Sequence, residues 1–174
     1  MTTIKFSTCD FCDTHKSDTS GHFRVLPPVF RDFGALPSFC GPVVTVKCYE
    51  DNSVVKAVLE SSGLVDTPSG LQSAVLVVDG GGSLRRALVG GLIGASAARN
   101  GWAGVVVDGC VRDAAELAAH QVGIRALGLI PMPTDRKNQG QRDVEVHIQG
   151  VRIVPGDWLY ADGDGMVVSS MPLI

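Results

Sequence analysis

Residues 75–116 read VLVVDGGGSLRRALVGGLIGASAARNGWAGVVVDGCVRDAAE, and the reading of this stretch decides the fold. The word Val-Val-Asp-Gly occurs twice in it, at Val77–Gly80 and at Val106–Gly109. Each copy is a β-branched run ended by Asp-Gly, the pattern of a fully buried parallel strand that stops at a sheet edge and turns into a helix. The expected elements are a strand Ala74–Val78, a turn Asp79–Ser83, a helix from Leu84, a fresh helix Leu92–Asn100, a strand Gly104–Val107 and a helix Ala114–His120. The break at Gly90-Gly91 follows from the cost of glycine in a helix, about 1 kcal/mol relative to Ala. Strand, turn and helix in tandem predict an α/β fold. In such sheets the helix N-termini gather outside the carboxyl ends of the strands, where their free N–H groups bind small anions.

Working outward, Cys9-Asp10-Phe11-Cys12 is expected in a short helix capped by Thr8 or Asp10. Its CxxC spacing has no second half from which to close a zinc site. Val43–Tyr49 reads as a strand, Glu50–Ser53 as the source of a cap for a helix Val54–Glu60, and Ser61–Gly70 as a polar loop. On the C-terminal side Gly123–Leu129 is a short strand and Pro131–Arg142 is a basic loop, read as solvated but open to an anionic partner. Asp143–Ile148 and Val151–Val154 form a hairpin across Gln149-Gly150. Asp157–Val168 is a strand, an acidic turn without EF-hand spacing, and a strand.

Composition limits the function. A chain of 174 residues, 45% hydrophobic and 19% charged, is expected to be a single domain over 1–174 with a real core. The formal net charge of −3 gives no basic field, so no direct nucleic-acid partner is expected. No apolar stretch approaches the ~20 residues of a bilayer span, and the N-terminus lacks a signal-peptide pattern, so the expected location is the cytoplasm and no membrane is involved. Five cysteines, an odd number, make no disulfide framework, and Cys40, Cys48 and Cys110, in apolar surroundings, are read as small core residues.

The chemistry concentrates at two turns. Gly80-Gly81-Gly82 fails as a nucleotide loop, because the dinucleotide fingerprint needs glycine where Arg85 stands and no Gly-Lys-Ser/Thr occurs; close packing explains it. The helix start at Gly90, Gly91, Leu92 and Ile93 exposes unpaired N–H groups that a ligand carboxylate can reach. Arg112 and Asp113 sit on the other turn, with two readings open. Asp113 caps the helix while Arg112 pairs with a surface acid, or Arg112 clamps a carboxylate while Asp113 offers a hard oxygen to a divalent metal. His15, His22, His120 and His147 show no spacing that suggests a site.

Val43–Asn52, Val77–Ala87, Gly109-Cys110-Val111-Arg112-Asp113, and Pro155-Gly156-Asp157 with Tyr160-Ala161-Asp162 together resemble a known family, in matching order from Cys12 to Ser169. It is the family named for a regulator of ribonuclease E activity, which also holds the metal-dependent 4-hydroxy-4-methyl-2-oxoglutarate aldolases. The resemblance implies a single-domain α/β/β swivelling-domain sandwich, phosphohistidine-domain-like, in a ring-shaped homotrimer with its site between subunits. It also implies a divalent metal cation, usually Mg2+, on Asp113, and a pyruvate-like substrate touching Arg112 with its carboxylate on the backbone of Gly90, Gly91, Leu92 and Ile93. Aldolases of the family carry an Asp about twenty residues before Arg-Asp and a carboxylate three positions after. Here Arg112, Asp113 and Glu116 match, Glu116 lying beside the metal ligand, but the first position is Gly91. That acid would orient metal-bound water, and loss of such a group typically costs about 10 to 100-fold in affinity or activity. The C-terminal extension of the longer aldolases is also missing after Ile174.

Two functional classes follow. One is a lyase of pyruvate-type oxo acids, with oxaloacetate decarboxylation as a side reaction; no Schiff-base lysine is needed, and Lys47 and Lys56 lie outside the expected site. The other is a non-catalytic protein that docks on a ribonuclease or another macromolecule and inhibits it.

Overall fold

The two Val-Val-Asp-Gly words lie side by side, with Val75 opposite Gly104 and Asp79 opposite Asp108 in a parallel ladder. The computed structural model describes residues 5–174, so the first four residues of the expected domain lie outside it. In chain order the elements begin α1 (Thr8–His15), β1 (Phe23–Val25), β2 (Arg31–Asp32), β3 (Phe39–Lys47), α2 (Ser53–Leu59), β4 (Leu64–Thr67) and β5 (Gly70–Ser73). The repeat follows as β6 (Val75–Val89), α3 (Gly91–Arg99), β7 (Gly104–Val111), α4 (Ala114–Ala119) and β8 (Gly123–Leu129). The chain ends with β9 (Gln141–Arg142), β10 (Val146–Ile148), β11 (Val151–Ile153), β12 (Trp158–Ala161) and β13 (Met166–Ser169).

Strands run β1-β13-β12-β3-β6-β7-β8-β2 across the main sheet, with β9 also on β3. The centre β3-β6-β7-β8 is parallel and the flanks are antiparallel. Strand β3 serves two neighbours, pairing Phe39–Pro42 with β12 and Val43–Lys47 with β6. Alternation along the buried strands divides the core in two. Leu76, Val78, Val105 and Val107 meet the helices through Val55, Leu59, Ile93 and Leu117. Val75, Val77 and Val106 face the second β layer with Ile148, Ile153, Leu159 and Val168. The result is the expected single-domain α/β/β sandwich.

The largest correction concerns the first repeat. No helix starts at Leu84; β6 continues to Val89, and residues after Asp79 bulge out so that Ser83 faces Gly109 and Ala87 faces Cys110. The strand resumes because Ala87, Leu88 and Val89 are buried and the Ala87 N–H donates to Met132 O at 2.8 Å. Pairing and burial there outweigh local propensity. The expected polar loop Ser61–Gly70 instead begins the hairpin of β4 and β5. Ser7, rather than Thr8 or Asp10, caps α1. Strand β3 starts at Phe39, before Pro42. Cys48 and Cys110 are core residues, but Cys12 and Cys40 are half-buried and Cys9 is exposed. The helices α3 and α4, strand β8 and the hairpins β10–β11 and β12–β13 lie where the patterns place them. No helix among the described residues is long and apolar enough to cross a membrane.

The Phe39 ring is wedged against two glycines of the parallel strands. A Cβ on Gly123 would stand 1.9 Å from it and one on Gly104 2.3 Å. Gly123→Ala is therefore expected to lower stability by about 1 to 3 kcal/mol in chemical denaturation. Gly163→Ala, where a Cβ meets open space, should change it by less than about 0.5 kcal/mol.

Candidate functional site

Helix α3 starts where β6 ends. Gly90 takes the N-cap position in an extended conformation, and the first intrahelical bond runs from the Gly94 N–H to Gly90 O at 2.9 Å. The amides of Gly91, Leu92 and Ile93 consequently have no acceptor within the helix. The neighbouring strand β7 ends at Val111, and the Arg112 N–H donates to Val89 O at 3.0 Å, which locks the two turns together. Asp113 then adopts φ 61°, ψ 49°, a left-handed conformation that Asp tolerates at roughly 1 to 3 kcal/mol.

That conformation turns the Asp113 carboxylate away from its own helix. It makes no cap bond to α4; Oδ2 instead accepts the Gly91 N–H at 2.9 Å. The capping reading of Asp113 is thereby excluded. Oδ1 has no hydrogen-bond partner among the described residues, and the side chain is 40% exposed. Arg112 is held loosely, with Nε 3.8 Å from Asp113 Oδ2 and one terminal nitrogen donating to Pro131 O at 3.4 Å. Apart from this long contact with Asp113, the guanidinium pairs with no acid among the described residues and can still meet an anion.

Both glycines make room for this arrangement. A Cβ on Gly90 would lie 2.7 Å from Asp113 Oδ2, and one on Gly91 would lie 1.8 Å from Glu116 Oε2. The space that an acid at position 91 would enter is thus filled by the Glu116 carboxylate. His120 completes the surroundings of Gly91, its Nε2 3.0 Å from Gly91 O. A carbonyl only accepts, so Nε2 carries the proton. Among the expected histidines only this one joins the site. Its signal in the sequence was position, since Asp113, Glu116 and His120 succeed one another at the spacing of one helical face.

Gly90, Gly91, Leu92, Ile93, Arg112 and Asp113 all line one cavity of about 470 Å³. Glu116 and His120 pack against the Gly91 backbone without lining it. Neither Lys47 nor Lys56 lines it, and Lys56 pairs with Glu60 at 2.6 Å. The aspartates of the repeated words are also accounted for elsewhere. Asp79 Oδ1 accepts the Gly81 N–H and Asp108 Oδ1 accepts from Gln149 Nε2. Burial pushes the Asp108 carboxyl above its ordinary range, partly offset by the Gln149 bond. Gly80 is the expected close approach, since a Cβ there would stand 2.7 Å from Asp108 O.

The far wall of the cavity is the basic loop, which is not simply solvated. Asp51 Oδ2 accepts the amides of Lys137 at 2.7 Å and Gln139 at 3.2 Å, and Asn52 Oδ1 accepts from Thr134 Oγ1 at 2.8 Å and Arg136 Nε at 3.1 Å. Burial works against ionised Asp51, but the hydrogen bonds from Ser53, Lys137 and Gln139 prevail and hold its pKa below the ordinary 3.8.

No group of three or more His, Cys, Asp or Glu able to hold a metal occurs among the described residues, Cys9 and Cys12 included. An all-protein cage is therefore not built there. Mg2+ is commonly held by one or two carboxylates, keeping waters and taking substrate oxygens. The free Oδ1 of Asp113, facing a cavity wide enough for water and ligand, fits that mode.

Comparison with known proteins agrees on the family and divides on the name. The RraA-like family profile, Aldolase/RraA, matches residues 8–168. A protein of Albidiferax ferrireducens provisionally named 4-hydroxy-4-methyl-2-oxoglutarate aldolase is 66% identical over 172 residues, 99% of each chain. A Burkholderia mallei protein of the same provisional name is 51% identical, over 98% of this chain and 99% of its own. The solved structure of the RNA-processing inhibitor RraA from Thermus thermophilis superposes with a TM-score of 0.87 at 38% identity, covering 98% of this chain and 96% of that one. A Geobacillus kaustophilus structure titled S-adenosylmethionine: 2-dimethylmenaquinone methyltransferase gives 0.83, also at 38%, over 97% of each chain. One fold thus carries three functional labels, and the site must choose among them.

The Asp51 carboxylate should hold the cavity wall only while ionised. Its lowered pKa means that its stabilisation is complete above the ordinary carboxyl value of 3.8 and is lost as pH falls through the lower folded value. Asp51→Ala is expected to cost about 1 to 3 kcal/mol. It should also lower the protection of the Lys137 and Gln139 amides against hydrogen exchange at neutral pH, and acidification through the folded pKa should lower the wild type's protection factors at the same amides.

Proposed function

This chain belongs to the RraA-like family, and on that premise we propose that it is a divalent-metal-dependent lyase of pyruvate-type oxo acids. The expected reaction is retro-aldol cleavage of 4-hydroxy-4-methyl-2-oxoglutarate or a close relative, with oxaloacetate decarboxylation as a side reaction. One observation carries this reading: Asp113 Oδ2 is held by the Gly91 amide, so Oδ1, Arg112 and the first-turn amides of α3 share one cavity.

Each residue then has a task. Asp113 would hold the cation, Mg2+ by the family resemblance, and the Gly91 amide fixes its carboxylate in one orientation. Such a cation supplies Lewis-acid polarisation of the substrate's keto oxygen. The amides of Leu92 and Ile93 receive the adjacent carboxylate, as helix starts do. The guanidinium of Arg112 offers hydrogen bonds to the oxygen on which charge gathers as the carbon–carbon bond breaks. Glu116, against Gly91, supports the turn and adds the negative charge beside it. No acid extends from position 91 into the cavity, and activity about 10 to 100-fold below that of relatives with an acid there is expected. Leu92, 85% exposed on the cavity rim, and exposed Met132 suit burial against another subunit, in line with the homotrimer that the resemblance implies; the proposed location is the cytoplasm.

A second reading draws on the neighbour titled an RNA-processing inhibitor and on the missing acid at Gly91: a non-catalytic regulator that binds a ribonuclease or another macromolecule.

Purified protein with Mg2+ and oxaloacetate should release pyruvate well above the rate of free metal. Asp113→Ala should lower that rate about 100-fold or to the free-metal level. Release no faster than free metal, unchanged in Asp113→Ala, would reject the lyase and leave the regulator.

A further inference from the structure

We propose that Arg136 is the specificity-determining residue of this cavity, clamping the second carboxylate of a dicarboxylic oxo acid. The inference rests on the oxo-acid reading above and assigns a substrate group that it leaves without a partner: 4-hydroxy-4-methyl-2-oxoglutarate and oxaloacetate each carry a second carboxylate, and no residue placed so far receives it.

Arg136 is mounted on a buried anchor. Its Nε donates to Asn52 Oδ1, and the Asn52 amide is oriented in turn by donating to Leu88 O at 3.1 Å and accepting from Thr134 Oγ1. Asn52 is buried, so the anchor is rigid on the scale of a side chain. The backbone on either side is pinned as well, by Pro133 O accepting from Arg86 at 3.0 Å and by Asp51 accepting the Lys137 amide. The guanidinium is thereby aimed while its two terminal nitrogens have no partner among the described residues. A guanidinium held by Nε with its outer edge free is a preorganised fork for a carboxylate, which it binds through two parallel hydrogen bonds.

The charges around the cavity point the same way. Arg112 stands on the wall made by α3 and α4, and Arg136 on the wall made by the loop. The carboxylates on the lining are Asp113, assigned to the cation, and Asp135. Asp135 makes no ion pair within 4.0 Å among the described residues, so it does not pre-empt the fork of its neighbour. Two guanidiniums delivered from separate elements into one cavity of about 470 Å³ match a ligand that is anionic at both ends. A monocarboxylic oxo acid would leave Arg136 unmatched, gaining nothing from a side chain that the fold takes care to aim.

Calorimetric titration with Mg2+ present tests this without turnover, using 2-oxoglutarate and 2-oxovalerate, five-carbon oxo acids that differ in the second carboxylate. The wild type should bind the diacid about tenfold or more tightly than the monoacid. Arg136→Gln should bind both at the monoacid's affinity, and Arg136→Lys should retain part of the preference. A wild type without preference, or a preference that survives in Arg136→Gln, overturns the clamp while leaving the oxo-acid site in place. Binding of neither acid overturns the oxo-acid reading itself. The wild-type ratio decides the matter even if Arg136→Gln does not fold.

Discussion

The hydrogen bond from the Gly91 amide to Asp113 Oδ2, 2.9 Å long, joins the two strand-to-helix turns on which the site is built. Each turn alone is ordinary. Together, one supplies an amide that its helix cannot satisfy and the other a carboxylate that its helix does not use. The left-handed backbone of Asp113 makes the exchange possible, and the bond contributes to offsetting that strain. What remains after the exchange is the chemistry: one free carboxylate oxygen, a loosely held guanidinium and two free amides at one cavity.

The parallel centre of the sheet dictates why these turns meet. Strands β6 and β7 stay in register through the repeated Val-Val-Asp-Gly words, and after the bulge they end level with each other at Val89 and Val111. The helix starts must therefore lie side by side. Glycine at 90 and 91 is then needed because Arg112, Asp113 and Glu116 all pass over that backbone. At position 91 the consequence is double. The glycine that admits Glu116 also leaves no acid at that position, so Asp113 and Asp135 are the carboxylates on the cavity lining.

Much of this was legible in the sequence, and the misses share a cause. Residues 90–93 and Arg112-Asp113 could be found because glycine runs and charged pairs at strand ends have local meanings. The continuation of β6 through Leu84–Val89 could not, since helix propensity at Leu-Arg-Arg-Ala-Leu loses to a pairing with Cys110 and Val111 that only the fold reveals. The same holds for the basic loop: its charge was visible, but its attachment to Asp51 and Asn52 spans more than 80 residues of chain. His120 lay between these cases. Its spacing from Glu116 marked a shared face, yet nothing local tied that face to the carbonyl of Gly91.

The central claim is that Asp113 Oδ1 and the start of α3 receive a cation and an oxo acid together. A crystal grown with Mn2+ and pyruvate tests it most directly through the anomalous signal of the metal. The expected result is a peak within coordination distance of Asp113 Oδ1, with the pyruvate carboxylate on the amides of Leu92 and Ile93 and Arg112 alongside. A metal bound elsewhere, or a cavity that takes up neither metal nor pyruvate at saturating concentration, would contradict it.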